Sequence, residues 1–171
     1  MVSPPACTIP DNRRRLREPV PVDQNLDRFD RRLRLLVYRQ MIRRGKCPSV
    51  AQMARSLASP VKRVRASLNR LSESHAFMLQ DNGELWRVAP FSAVPTAFPV
   101  QVGKRCWFAN CIWDALGIPA MLGKEAAIGA ACGCCNLAMP VAVQSGKLVP
   151  AKGLIHIAIP ARDWYRDVAF T

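Results

Sequence analysis

Between Leu26 and Val88 the apolar residues recur in three short helical stripes, then in two runs around a tight turn. That order admits few folds. Leu26, Phe29, Leu33, Leu36, Val37 and Met41 fall at three- and four-residue steps, and Gly45 offers a stop. Arg28, Arg31, Arg32, Arg34, Arg39 and Arg43 lie largely off that stripe. Ser49 stands as an N-cap before a second stripe of Val50, Met53, Ala54 and Leu57. A third helix is predicted from Ser59 as cap and Pro60 at the first helical position, with Val61, Val64, Leu68 and Leu71 as its stripe. FMLQDNGELWRV then reads as two strands joined at Asp81-Asn82-Gly83. Helix, helix, helix, hairpin predicts a winged helix-turn-helix-like domain over residues 26–89. Its third helix would carry Lys62, Arg63, Arg65 and Arg70 toward a groove or a phosphate backbone. The same fold also serves as a plain packing module, so the pattern speaks more for the fold than for DNA binding.

Charge divides the chain. Residues 1–75 hold 17 Lys/Arg against 6 Asp/Glu, a net of +11, and residues 76–171 hold 8 against 6, a net of +2. A half that basic suits nucleic acid, or simply a solvated basic face. Residues 1–25, rich in Pro and Arg, are expected to be a disordered basic arm. No apolar run reaches ~18 residues, which excludes a membrane-spanning helix, and the start has no apolar signal-peptide core. A reducing, cytoplasmic setting is expected, with the seven cysteines as free thiols or metal ligands.

Pro90–Pro99, PFSAVPTAFP, is a proline-punctuated connector and the expected domain boundary. Beyond it the pattern predicts a strand over Phe98–Val102 and a helix over Trp107–Leu116, ending at Gly117 before Pro119. Further strands are expected at Ala126–Ala131, Pro140–Gln144 and Leu154–Ile159, the last buried on both faces. The class is α+β, with a small mixed-sheet core over residues 90–171.

The chemistry concentrates in RCWFANCIWDALGIPAMLG, residues 105–123. Cys111 and Asp114 are three apart, which on a helix puts a thiol and an acid on one face. A thiol must ionise to act as a nucleophile or soft-metal ligand. Asp114, between Trp113 and Ala115, would be partly desolvated and able to hold a proton for delivery. The plain alternative is a buried structural cysteine and a surface aspartate. Cys106 and Cys111, separated by four residues, with Cys132 and Cys135, separated by two, leave a four-thiolate zinc site open. Against it stands the helical reading of the WFAN between the first pair. His75 would close a helix, and His156 would sit hydrogen-bonded in a core strand.

FSAVPTAFPV, CWFANCIWDALGIPAMLG, a cysteine-containing turn, PVAV and a closing DWYRDVAFT together resemble the organomercurial (alkylmercury) lyase family, most specifically in Cys-x-x-Asp-Ala-Leu at 111–116. The N-terminal helices with a wing also have a counterpart there, so the resemblance covers residues 27–171. It implies that Cys111 binds mercury and Asp114 is the catalytic acid in protonolysis of R–Hg⁺ to RH and Hg²⁺. The partners are then organomercury compounds and Hg²⁺, and no organic cofactor is called for. In that family a second catalytic cysteine follows the motif that DVAFT resembles, whereas this sequence stops at Thr171. The resemblance therefore implies either a fragment or a second mercury-binding thiol drawn from Cys132, Cys134 and Cys135. A basic DNA-binding regulator that senses a soft metal or oxidant through its cysteines is the alternative from another class.

Overall fold

The computed structural model describes residues 26–150, 153–157, 159–160 and 163–164. The expected basic arm, 1–25, and the closing motif from residue 165 onward lie outside them.

Three helices open the fold: α1 (Arg28–Arg44), α2 (Val50–Ser56) and α3 (Val61–Glu73). The stripes read from the sequence are the faces that become buried, with Leu33, Val37, Met53, Val64, Leu68 and Leu71 fully enclosed, except that Val61 at the start of the third stripe is exposed. Asp27 and Asp30 form a reciprocal capping box at the start of α1, and Gly45 closes it in the left-handed region at φ 69°. Ser49 caps α2 with Gln52, and the Glu84 carboxylate adds an acceptor for the Val50 N–H at 2.9 Å. The expected Ser59 cap is corrected: Pro60 is the capping residue of α3, and no side chain bonds there.

Asp30 is completely buried, which an ion tolerates only when paired. Arg70 of α3 grips it twice, Nε at 2.9 Å and Nη2 at 2.7 Å, and the Ser67 hydroxyl donates to it as well. Burial pushes the Asp30 carboxyl up, but the Arg70 and Ser67 hydrogen bonds outweigh it and hold the group below its ordinary value. Arg65 donates to the Asn82 carbonyl at 3.1 Å, and Arg63 lies over the Phe29 ring at 4.3 Å. Of the four cations expected to face a groove, three thus have partners inside the fold, and Lys62 is exposed.

The strands are β1 (Met78–Leu79), β2 (Leu85–Val88), β3 (Phe91–Ser92), β4 (Pro99–Val102), β5 (Arg105–Ala109), β6 (Ala126–Ile128), β7 (Val141–Gln144) and β8 (Lys147–Val149). They form one sheet in the order β1-β2-β3-β5-β4-β6-β7-β8. Every pairing between these strands is antiparallel, which corrects the expected mixed sheet. The reason lies in one connection. Helix α4 (Ile112–Leu122) carries the chain from β5 to β6, but β4 sits between those two strands and pairs with both. The expected boundary at residue 90 falls inside this sheet, between β2 and β3.

Two further expectations are corrected. RCWFA is strand, not helix: Trp107 and Ala109 are buried on one face and Cys106 is exposed, the alternation of a sheet covered on one side. The helix starts five residues later than expected at Ile112, and runs on through Gly117 and the buried Pro119 to a left-handed Gly123. The Leu154–Ile159 strand is also absent among the described residues there, and Leu154 is 99% exposed. No described helix is long and apolar enough to cross a membrane.

Side chains tie the helices to the sheet. Trp107 Nε1 of β5 donates to the Met41 carbonyl at 2.8 Å, and Arg105 donates to that of Ile42 at 3.2 Å. Both bonds reach carbonyls in the last turn of α1, where that of Met41 also accepts the Gly45 N–H at 2.8 Å. Tyr38 donates to the Ala89 carbonyl at 2.8 Å.

Candidate active site

Cys111 is not inside α4 but caps it. Its backbone is extended, φ −149° and ψ 179°, and its sulfur accepts the Asp114 N–H at 3.5 Å. Asp114 is thus the third helical residue, where a carboxylate also meets the positive end of the helix dipole. The pair still converges, through capping rather than through a shared helical face.

Asn110, the last residue before the cap, donates its amide to Asp114 Oδ2 at 2.8 Å and to the Phe91 carbonyl at 3.3 Å. This fixes the carboxyl against the β3–β5 pair. Arg87 of β2 brings a cation to the same place, its guanidinium stacked over the Trp86 ring at 4.5 Å and acting on both Cys111 and Asp114.

Burial raises the Cys111 thiol above its ordinary value. The Asp114 N–H counters this, the Asp114 charge adds to it, and Arg87 pulls back. Burial likewise raises Asp114, against the Asn110 hydrogen bond and Arg87. Neither group is tuned to ionise early. The thiol is held as SH, and the acid keeps its proton to a higher pH than an exposed aspartate would.

The pair opens into a cavity of about 350 Å³. Its walls are His75–Met78 from the α3–β1 connection, Arg87 and Ala89, the helix start Asn110–Asp114, and Ile155–Ile157, Ile159 and Trp164. The lining is mostly apolar, so a small organic group would fit beside a thiol and an acid. His156 lies on this wall, exposed, and not in a core strand.

Cys132, Cys134 and Cys135 do not line this cavity. They occupy the turn between β6 and β7, with Cys134 and Cys135 exposed. Cys106 is exposed on β5, and burial pushes the Cys47 thiol to about 12, which leaves it inert. The spacing that suggested a zinc site gathers no such set: among the described residues no three His, Cys, Asp or Glu side chains come together to hold a metal. Arg87 and Asn110 were missed in the sequence. A lone arginine in LWRV and an asparagine beside a cysteine carry no spacing signal, since pairing across the sheet brings them to the site.

Residues 91–171 match the family model described as alkylmercury lyase. Among solved structures, the mercury-bound form of MerB2 is similar at 19% identity and a TM-score of 0.61. The match covers 74% of this chain and 61% of that one, so the chain spans about three fifths of the length of the structure it matches. A search of curated proteins finds no match. By the sequence pattern of residues 91–171 and by its fold, the chain resembles the alkylmercury lyases.

Proposed function

We propose that this chain cleaves the carbon–mercury bond of R–Hg⁺ by protonolysis, giving RH and Hg²⁺, with Cys111 as the mercury ligand and Asp114 as the proton carrier. One observation carries the reading: a thiol and a half-buried carboxyl share the start of one helix and open into one apolar cavity. The soft cation bonds the Cys111 sulfur and displaces its proton, which overcomes the raised thiol pKa without a dedicated base. Asp114 takes up that proton, and Asn110 and Arg87 steady the carboxyl in the meantime. The carbon–mercury electron pair then takes the proton from Asp114, RH leaves, and Hg²⁺ stays on sulfur. No oxidation state changes, and no organic cofactor is needed. A second sulfur donor would enrich the carbon in electrons. Cys111 is the one cysteine lining the cavity among the described residues, so a monothiol in the buffer is the natural supplement.

We further read residues 26–89 as a winged-helix-like module and 90–171 as the lyase-like core. The module walls the cavity through His75–Met78 and Arg87, and the internal partners of Arg63, Arg65 and Arg70 favour this packing role over DNA binding. Free thiols at these positions suit a reducing cytoplasm. The test is methane release from methylmercury in the presence of a monothiol. It should vanish in Cys111→Ser; full release from that variant overturns the assignment.

A further inference from the structure

Three of the thiols that lie away from the cavity share one loop. Cys132, Cys134 and Cys135 occupy the connection between β6 and β7, and its backbone is pinned. The Asn136 N–H bonds the Cys132 carbonyl, the Cys132 N–H bonds that of Leu137, and the Met139 N–H bonds that of Ala130, each at 2.8 Å. Ala131 and Ala138 bridge just behind. Asn136, at φ 55°, turns the chain in the left-handed region that asparagine tolerates. The Cys-x-x-Cys segment is therefore a held loop. The bond from the Asn136 N–H to the Cys132 carbonyl closes a single turn over residues 132–136, so Cys132 and Cys135 stand within one turn of each other. Both thiols belong to that turn, and the backbone N–H groups of Cys135 and Cys134 hold the Cys132 thiol below its ordinary value. A side chain built at Gly133 would meet nothing within 4 Å, so the turn is open to solvent.

We propose that Cys132 and Cys135 form a second soft-metal site, a dithiolate clamp for a two-coordinate cation of the Hg²⁺ class, separate from Cys111. Coordination number decides the class. Tetrahedral zinc needs four donors, and no three gather among the described residues. A soft cation content with two thiolates needs only this pair. Binding balances simply: Hg²⁺ displaces one proton from each thiol, two sulfur–mercury bonds form, nothing is oxidised, and the site becomes neutral. The inference goes beyond carbon–mercury cleavage and does not depend on it.

The test uses the full reduced chain carrying Cys111→Ser, so it runs whether or not the lyase reading holds. One equivalent of HgCl₂ is added, free thiols are alkylated with iodoacetamide, and each cysteine is mapped by mass spectrometry alongside the intact mass. The expected result is one bound mercury, with Cys132 and Cys135 protected together. Adding Cys132→Ser or Cys135→Ser should abolish protection of the remaining partner, while Cys134→Ser should leave the pair protected. Labelling of Cys132 and Cys135 at the metal-free rate overturns the proposal. So does protection that follows Cys134, Cys106, Cys47 or Cys7 instead. A loss of two protons with no mercury retained also overturns it, since that is a disulfide.

Discussion

Asp114 sits where burial pulls its pKa up and the Asn110 amide and Arg87 pull it down, and burial prevails. An acid whose folded pKa is raised works against folding above its ordinary 3.8, and the penalty eases as pH falls. Asp114→Asn should therefore keep or raise the urea midpoint while methane release drops by roughly 10²–10⁴-fold, the usual scale of general acid–base catalysis. The same change should speed alkylation of Cys111 at fixed pH, because the Asp114 charge is one of the influences raising that thiol. Slower alkylation would show that the two groups do not interact as described. The Cys111–Asp114 pair was legible as a spacing of three residues. Its geometry was not, because nothing in IWD says whether a cysteine lies in a helix or caps it. That depended on RCWFA pairing with β4 across a turn.

Helix α1 is fastened to α3 by a carboxylate with no exposed surface and a guanidinium that is 40% exposed. Removing the exposed partner leaves the buried one uncompensated. Arg70→Met should therefore cost about 3 kcal/mol, read as a shift in the urea midpoint. The acid limb follows from the same pair. Asp30 is held below 3.8, so its contribution is complete above that pH and is lost as pH falls through the depressed value. Arg70→Met should flatten that limb. The three apolar stripes made these helices readable almost to their ends. The pairing of Asp30 with Arg70 was hidden: forty residues separate them, and in the sequence Arg70 looked like one more cation on a basic face.

Across the whole chain, one ladder runs from Met78 to Val149, and Trp107, Arg105 and Tyr38 tie it to α1. Tryptophan fluorescence and far-ultraviolet circular dichroism should accordingly report a single urea transition with one midpoint. Two separated transitions would mean that the halves on either side of residue 90 fold independently. Strand order lay beyond sequence reasoning because β1 and β3 have two residues each and β6 and β8 three, too short for any periodicity. The hairpin at Asp81-Asn82-Gly83 was readable because turn chemistry needs only those residues. The sulfur that begins α4 belongs to this connected frame, and its duty as a cap has a further meaning. Ionisation would make Cys111 a stronger acceptor for the Asp114 amide, and bonding to a metal a weaker one. The first turn of the helix would thus be a gauge of what the sulfur holds, tightening around a bare anion and easing if a cation were aboard.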